Sequence, residues 1–435
     1  MASLSAPGGN DNMKRALFQV LCVAAPKALG GVLAVLLNGL LLTQLSPAEF
    51  GIYVLCLTFV TLADGVLGAA VDMAAIKLVS ASRALNPAHA AEVERWALVM
   101  KLGFVTGLIA LVLPMARPLS ASLFHREDPG LLMLALTVTV SVLTLRSIGL
   151  HLQLAQRFPA YAGLELTAQS MRVGGVVAVL LWWQPSATTL TWAALAGGVL
   201  SLLGGLAIVR PRWQRWSSWT LRRDVGRQVL HAAGWMLVIF AFSSLLARAD
   251  IFLLSQWSTI EQVGLYGAAQ VFASIPEMFG LWLGVVFSPR VAPAKAAGRL
   301  RPLMLRLQAA LFCLAVLLGA VLAVLLRWLP EWLPASFTGA SAILLPLLIG
   351  ALAGLFVMPF VVPCVVFLRP RFVFYLDLFS LPFLLLAYYW AITHSGALGA
   401  AWVSAAARTI KAALLQVAAW RLSSHPAGEP SATPS

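Results

Sequence analysis

The chain has 435 residues, of which 60% are hydrophobic and 11% are charged, and its mean hydropathy is +0.89. This composition excludes an ordinary water-soluble protein and indicates a chain built mainly of membrane-spanning segments. The formal net charge of +14 would suit a nucleic-acid-binding protein, but the sequence offers no soluble domain to present a basic surface. We therefore expect no nucleic-acid partner.

Twelve apolar segments are long enough to cross a bilayer as helices. In chain order they cover residues 16–44, 50–80, 95–124, 129–155, 159–183, 187–209, 228–256, 260–288, 303–330, 339–367, 371–393 and 396–421. The first segment is too long for the apolar core of a secretory signal, carries Lys27 and lacks a small-residue cleavage site, so it is predicted to be a span.

Basic residues are concentrated in alternate loops between these segments. The positive-inside rule places those loops and both termini in the cytoplasm, which requires an even number of spans. The most basic loop follows the sixth span and divides the chain into two lobes. The predicted organisation is a disordered N-terminal tail 1–12, an N-lobe 13–209, a basic cytoplasmic linker 210–227, a C-lobe 228–422 and a disordered C-terminal tail 423–435.

An internal repeat appears when the chain is shifted against itself by 213 positions, so that Gly51 falls on Gly264. The matched pairs are Gly51 with Gly264, Tyr53 with Tyr266, Phe59 with Phe272, Thr61 with Ser274, Asp64 with Glu277 and Lys77 with Arg290. Repeats of this kind are typical of transporters, whose substrate path lies between the halves. We predict an all-α integral membrane protein with about twelve transmembrane helices in two parallel, pseudo-symmetric six-helix lobes around a central cavity.

Two short motifs lie at the junctions of spans one and two and of spans seven and eight. They are LSPAEFGIY, from Leu45 to Tyr53, and RADIFLLSQWSTIEQVGLYGAA, from Arg248 to Ala269. Both resemble stretches of the polysaccharide flippase branch of the multidrug/oligosaccharidyl-lipid/polysaccharide exporter superfamily. Gln256 and Trp257 depart from that pattern, because many members have Gly after the leucine pair.

The resemblance implies a carrier that moves an undecaprenyl-pyrophosphate-linked oligosaccharide from the cytoplasmic to the periplasmic leaflet by alternating access, for lipopolysaccharide or exopolysaccharide synthesis. It also implies a bacterial inner membrane, with membrane lipids, a polysaccharide polymerase and export machinery as further partners. Two alternatives stay open. One is a cation-coupled multidrug exporter of the same superfamily, and the other is a membrane glycan polymerase, ligase or assembly partner.

Ionisable side chains inside the predicted spans are the candidate functional residues. Each costs on the order of 2.5–3.5 kcal/mol at the bilayer centre, so each needs a partner, a wet cavity or a function. The embedded set is Lys27, Asp64, Asp72, Glu165, Arg172, Arg248, Asp250, Glu277, Asp377, Arg408 and Lys411, with Arg146 near the inner end of its span.

Four of the embedded cations, Lys27, Arg172, Arg248 and Arg408, are the candidates for binding the cargo's pyrophosphate or glycan. An arginine can hold phosphate through two parallel hydrogen bonds, and several cations offset the loss of water around the phosphate. For Lys27 and Arg172, pairing with a nearby acid is an equal alternative. Loss of export on replacing Lys27 or Arg248 with alanine is the expected result.

Five embedded acids are candidates either for a coupling-ion site or for structural counter-ions. They are Asp64, Asp72, Glu165, Asp250 and Glu277. Asp64 and Glu277 occupy equivalent positions of the repeat, and the counter-ion interpretation, with Lys27 and Arg248 as partners, is favoured for them.

Enzyme motifs are missing from the sequence. It contains neither an Asp-x-Asp pair for a nucleotide-sugar metal nor a Walker-type phosphate loop, and its histidines and cysteines lack metal-ligand spacing. His125, with Glu127 and Asp128, is interpreted as a solvated turn. We therefore expect no enzyme activity, no catalytic residue, no metal and no cofactor.

Overall fold

The computed structural model describes residues 9–82, 86–213, 222–296, 298–332, 334–367 and 370–424, and these ranges contain helices and no β-strand. In chain order they hold α1 (Gly9–Leu42), α2 (Pro47–Ala63), a π-helical turn (Asp64–Ala69), α3 (Ala70–Ser82), α4 (Pro87–Val112), α5 (Ala116–Phe124), α6 (Gly130–Leu154), α7 (Phe158–Trp182), α8 (Ala187–Trp213), α9 (Arg223–Trp257), α10 (Ile260–Ala296), α11 (Leu300–Trp332), a 3₁₀ turn (Ala335–Phe337), α12 (Ala340–Phe367) and α13 (Pro370–Ser424). The prediction of an all-α membrane protein is confirmed.

Ten stretches of the described residues are long and apolar enough to cross a membrane. One of them lies in α13, which bends at Gly396, where φ is 56° and only glycine is unstrained. We call residues 370–395 the first arm of α13 and residues 397–424 its second arm. The 37-residue helix α10 lies outside those ten stretches. The count of twelve spans stays a prediction.

The turn before α2 shows how the sequence begins a helix. The Ser46 hydroxyl accepts a hydrogen bond from the backbone N–H of Glu49 at 3.3 Å, and Pro47 occupies the first turn. The Glu49 carboxylate in turn accepts from the N–H of Ala187, at the start of α8, at 2.7 Å, and pairs with Arg126. The beginnings of α2 and α8 are therefore tied together by one side chain.

We call residues 9–213 the N-half and residues 222–424 the C-half. They pack on each other through α1 and α2 against α10, and through α3 and α4 against α9. On α4, the Trp96 indole donates to the carbonyl of Arg222 at 3.0 Å, and the buried Glu92 carboxylate accepts from the Arg222 N–H at 2.6 Å. The start of α9 is therefore fixed on the N-half.

The crossing of α2 and α10 joins two equivalent positions of the sequence repeat. A Cβ on Gly51 would meet the carbonyl oxygen of Ile260, and a Cβ on Gly264 would meet that of Pro47. Pro47 and Ile260 are themselves related by the 213-residue offset. Each half thus presents equivalent positions of the repeat to the other, as subunits do across a two-fold axis.

A second contact between the halves lies between α5 and the end of α9. We call it the clasp: Ser122, His125, Ser255 and Gln256. The Gln256 amide donates to the Ser122 carbonyl at 2.7 Å, the Ser122 hydroxyl donates to the Gln256 amide oxygen at 2.9 Å, and His125 Nε2 lies 2.7 Å from the Ser255 carbonyl oxygen. His125, Glu127 and Asp128 are exposed in the turn after α5, as expected, and the His125 ring also contacts the C-half.

Several expectations fall partly outside the described residues. Helix α1 begins at Gly9, within the expected N-terminal tail, and α13 ends at Ser424, while residues 1–8 and 425–435 lie outside the described ranges. Helices α8 and α9 reach into both ends of the expected linker, of which residues 214–221 also lie outside. The side chain of Arg290 is not among those described. The division into two lobes stays a prediction.

Candidate transport cavity and membrane-embedded charges

A cavity of about 670 Å³ lies within the C-half and is lined by α9, α10 and both arms of α13. Its walls are mainly apolar, and its polar groups include six charged side chains. They are Arg248, Asp250, Glu277, Asp377, Arg408 and Lys411. Cations and anions are equal in number, so the relevant question is which of them neutralise each other.

Two ion pairs account for four of those six charges. Arg408, on the second arm of α13, pairs with Glu277 on α10. Lys411, one turn further along, places its Nζ 2.6 Å from Oδ1 of Asp377, which is 1% exposed and lies on the first arm. The charge of Arg408 is thus neutralised by Glu277, and Glu277 is not the counter-ion of Arg248.

Asp250 is a buried carboxylate that is held by hydroxyl groups. It is 4% exposed, and its Oδ2 accepts from the Tyr266 hydroxyl at 2.5 Å and from the Ser404 hydroxyl at 3.4 Å. Oδ1 accepts from the backbone N–H of Ile251 at 2.8 Å. No cation of the described ranges lies within ion-pair distance of Asp250.

Arg248 lines the same cavity and is half-buried. It is two residues from Asp250 on α9, so the two side chains leave the helix in different directions. No carboxylate in the part of the chain that the structure describes lies within ion-pair distance of Arg248. The C-half cavity therefore contains one arginine whose charge is not neutralised by a neighbour.

The N-half contains a cluster of four charges around its π-helical turn. Arg146, on α6, contacts both Asp64, with Nη1–Oδ2 at 2.5 Å, and Asp72, with Nε–Oδ2 at 2.6 Å. Lys101, on α4, is 3% exposed and places its Nζ 2.5 Å from Oδ1 of Asp72. We call these four residues the quartet. Its two cations and two anions balance, so Asp64 and Asp72 are neutralised without Lys27.

Glycine at the π-helical turn makes room for the quartet. A Cβ on Gly68 would lie 2.7 Å from Oδ1 of Asp64 and 2.9 Å from Cδ of Arg146. The neighbouring Gly65 faces α9, where a Cβ would lie 2.6 Å from the Ser244 hydroxyl. The quartet therefore lies directly beside the contact between the two halves.

The remaining candidates lie elsewhere in the N-half. Arg172 borders a pocket of about 20 Å³ between α1, α2 and α7, together with Tyr53. Glu165 accepts a hydrogen bond from the Tyr161 hydroxyl at 2.8 Å. Lys27 is exposed on α1 and lines neither this pocket nor the C-half cavity. Among the described side chains, Lys27 and Arg172 have no carboxylate within ion-pair distance.

The four cation candidates are therefore not gathered in one cavity. Arg248 and Arg408 line the C-half cavity, Arg172 borders the small N-half pocket, and Lys27 lies apart from both. A central cavity lined by both halves stays a prediction. So do the assigned roles of all these residues.

Two residues of the quartet are not among the candidates that the sequence predicts: Lys101 is absent from the embedded set, and Arg146 is noted only for its place near the inner end of its span. Lys101 lies six residues inside the third predicted span, and that position was the available signal for an embedded charge. The hydroxyl partners of Asp250 gave no such signal, because tyrosine and serine are common in membrane helices. Among the described residues, no group of three or more His, Cys, Asp or Glu side chains could hold a metal ion.

The bundle of long apolar helices with embedded ion pairs and a large membrane-depth cavity defines a class of protein, the multi-pass membrane transporters. The family profile described as "Polysaccharide biosynthesis protein" matches residues 27–293, more than half of the chain. The chain belongs to this family. A comparison with curated proteins found no match.

Solved structures with the same fold include transporters and a flippase. An inward-facing multidrug resistance MATE family transporter of the MOP superfamily has a TM-score of 0.74 at 14% identity, covering 93% of this chain and 98% of that one. The lipid II flippase MurJ, in an inward closed conformation, has a TM-score of 0.70 at 12% identity, covering 91% and 86%. A MOP superfamily transporter from Pyrococcus furiosus, reported to have a binding pocket of reverse polarity, has a TM-score of 0.65 at 13% identity, covering 93% and 95%.

Proposed function

We propose that this protein flips a polyprenyl-pyrophosphate-linked oligosaccharide from the cytoplasmic to the periplasmic leaflet of a bacterial inner membrane, by alternating access. Both termini then lie in the cytoplasm. The protein acts as a carrier rather than an enzyme, upstream of the polymerase and export machinery that use the flipped unit.

One observation carries this proposal: the embedded cations divide into two groups. Arg146, Lys101, Arg408 and Lys411 all contact carboxylates, whereas Lys27, Arg172 and Arg248 contact none among the described residues. A cation at membrane depth without a partner is costly and marks a functional site. Three such cations favour a cargo that brings its own negative charge, as a pyrophosphate does.

The comparisons support the same class of cargo. The family description refers to polysaccharide biosynthesis, and one protein with this fold is named as a flippase of lipid II. Since these identities are low, the likeness supports the fold, and the free cations support the anionic cargo.

A multidrug exporter is the second candidate. Its support is the structural likeness to a multidrug resistance transporter, together with the buried Asp250 in an apolar cavity. A carboxylate would suit a cationic drug, but Asp250 already accepts hydrogen bonds from Tyr266 and Ser404. The three free cations would repel a cationic cargo, so the flippase is the better-supported function.

The direct test is a flipping assay in proteoliposomes with an undecaprenyl-pyrophosphate oligosaccharide. The fraction of sugar exposed to a membrane-impermeant oxidant is followed over time. Wild-type protein should expose the sugar, and the triple variant Lys27→Gln, Arg172→Gln, Arg248→Gln should be at least about a hundredfold slower.

The matched control is Arg117→Gln, a surface arginine that is exposed at the start of α5. It should flip at the wild-type rate. A triple variant that flips as fast as this control would contradict the assignment of the cations. A wild-type protein that moves cationic dyes but no lipid-linked sugar would support drug export instead.

A further inference from the structure

The small pocket of the N-half gathers polar groups from three helices. Asn38 of α1, Tyr53 of α2, and Gln169 and Arg172 of α7 line it, and the rest of its wall is apolar. Tyr53 is 4% exposed, and no carboxylate of the described ranges lies within ion-pair distance of Arg172. Polar groups at membrane depth are costly unless they have a partner, so this arrangement indicates a ligand.

The internal repeat shows which chemical group accompanies the equivalent tyrosine in the C-half. Tyr266 is the counterpart of Tyr53, and its hydroxyl donates to the Asp250 carboxylate of α9 at 2.5 Å. In the N-half the counterpart of Asp250 is Leu37, which lies on α1 and lines the pocket. The N-half therefore repeats the tyrosine but has a leucine in place of the carboxylate.

Arg172 gives the N-half pocket the opposite charge. Its counterpart in the C-half is Leu385, so the pocket has a base where the C-half has an apolar side chain. An arginine binds a carboxylate through two parallel hydrogen bonds, and a neighbouring hydroxyl can donate a further one. The Gln169 amide is a third possible donor, and it packs against α1, where a Cβ on Gly30 would lie 2.7 Å from its Nε2. The pocket therefore offers donors and a positive charge to an anionic group.

The size of the pocket restricts which anionic group can enter. Its volume is about 20 Å³, and a single water molecule requires about 10–15 Å³. A flat carboxylate fits this space better than a bulkier tetrahedral phosphate, and a whole sugar ring is too large for it. The pocket therefore suits a carboxylate that projects from a larger molecule.

Arg172 also borders a space that is large enough for the rest of such a molecule. Tyr161, Val176 and Val179 lie on the same face of α7 as Arg172 and are buried, whereas Arg172 itself is exposed. This face of α7, which is turned toward the protein, is therefore open at the level of Arg172. A sugar ring in the open space can direct a carboxylate at its edge into the pocket.

We propose that the N-half pocket binds the carboxylate of an acidic sugar, of the uronic acid class, in the glycan of the cargo. Arg172 pairs with the carboxylate, and the Tyr53 hydroxyl and the Gln169 amide donate hydrogen bonds to it. This proposal rests on the proposed function and adds the class of sugar that the protein selects. It leaves Lys27 and Arg248 for the pyrophosphate.

A matched pair of substrates tests this site. Two undecaprenyl-pyrophosphate disaccharides that differ only in the outer sugar, glucuronic acid or glucose, exchange a carboxylate for a hydroxymethyl group at one carbon. In proteoliposomes, wild type should flip the acidic substrate at least about tenfold faster than the neutral one. Arg172→Gln should bring this ratio to within about twofold, and Arg172→Lys should retain part of it, because it keeps the charge without the paired donors. Equal rates for the two substrates in wild type would overturn the proposal.

A second test supplies the carboxylate from the chain itself. Leu37→Asp places an acid at the position equivalent to Asp250, in the pocket that Arg172 lines. This acid should compete with the ligand and slow flipping of the acidic substrate at least about tenfold relative to Leu37→Asn, which has nearly the same size and no charge. If the two variants flip the acidic substrate at the same rate, the pocket does not bind a carboxylate. Where Leu37→Asp does not accumulate, the Arg172 variants decide.

Failure of this site and failure of the proposed function have different outcomes. If wild type flips both substrates at the same rate, the carboxylate site is wrong and the proposed function stands. If wild type flips neither, the proposed function fails, and equilibrium binding of the two tritiated substrates to protein in nanodiscs still decides the site. Binding of the acidic substrate that weakens at least about tenfold in Arg172→Gln supports the site, and unchanged binding contradicts it.

Discussion

In the N-half, α1, α2 and α7 enclose a pocket of about 20 Å³ beside Arg172, whereas in the C-half the corresponding helices α9, α10 and α13 enclose a cavity of about 670 Å³ that contains Arg248. Helices α1, α2 and α7 correspond to α9, α10 and the first arm of α13 through the 213-residue offset. The larger cavity also has a wall from the second arm of α13, which contributes Arg408 and Lys411. The comparison teaches that corresponding helices of the two halves enclose very different volumes.

Charge pairing also differs between the halves. The N-half gathers two acids and two cations in the quartet, where Arg146 contacts both Asp64 and Asp72. The C-half distributes its ion pairs over two separate contacts, Arg408–Glu277 and Lys411–Asp377. A compact network of buried charges holds helices in one arrangement, because each group depends on the others for its compensation. Four comparisons of variants, from the largest expected effect to the smallest, break or sharpen this contrast.

The quartet should be the most sensitive point of the N-half. Arg146→Met leaves Asp64 and Asp72 with only Lys101, and we expect a loss of about 3–5 kcal/mol of stability. Arg408→Met is the matched change in the C-half, and it should cost less because the Glu277 side chain is 34% exposed, whereas those of Asp64 and Asp72 are 23% and 10% exposed. Thermal unfolding in detergent measures both. Equal losses would show that the two halves do not differ in this respect.

At the crossing of α2 and α10, Gly51 and Gly264 should be equally sensitive to an added methyl group. Gly51→Ala and Gly264→Ala each direct a methyl group at a backbone carbonyl, which cannot move as a side chain would. We expect each to cost about 1–3 kcal/mol, as overpacking does. Gly39→Ala on α1 is the control, since a Cβ there meets nothing within 4 Å. If only one of the two crossing variants loses stability by the same thermal assay, the two-fold character of this contact is wrong.

Tyr53 and Tyr266 occupy equivalent positions of the repeat, but the loss of their hydroxyl groups should affect stability differently. Tyr266→Phe removes the hydroxyl that donates to Asp250, and a buried carboxylate that loses a donor costs about 1–2 kcal/mol. Tyr53→Phe changes the residue at the equivalent position of the N-half, where the described contacts include no carboxylate partner for the hydroxyl. It should stay within about 0.5 kcal/mol of wild type. Similar melting temperatures for the two variants would count against a special role of Asp250.

The clasp should contribute least to stability but most to the orientation of the halves. Ser122→Ala removes one hydrogen bond to Gln256 at an exposed position, with an expected cost of about 0.6 kcal/mol or less. Paired cysteines at Ser122 and Gln256, in a background without the native cysteines, should crosslink readily under oxidation and block flipping reversibly. Free flipping by the fully crosslinked protein would show that this contact does not open during transport.

Much of the fold could be predicted from the sequence, because hydrophobic segments and helix caps are local signals. The Ser46-Pro47 start of α2 is one example, and the repeat around Gly51 and Gly264 is another. The choice of ion-pair partners could not be predicted. Asp64 was expected to neutralise Lys27, whereas the packing of α6 against α2 supplies Arg146, and helix packing leaves no trace in one sequence.

Gln256 is a second residue whose contact partner could not be predicted from the sequence. This residue departs from the family pattern, and the sequence alone gives no reason for the departure. In the structure its amide exchanges two hydrogen bonds with Ser122 across the halves. A substitution that breaks a local pattern can therefore serve a distant contact, and only the fold reveals the partner.

The crossing of Gly51 with Gly264 has a consequence for the history of the molecule. Because the carbonyl that each glycine meets belongs to equivalent residues, Pro47 and Ile260, one half carries a face that complements its own copy. Two identical single-half chains could meet through this face as a homodimer. After a fusion of the two genes, the sequences of the two copies would be free to diverge.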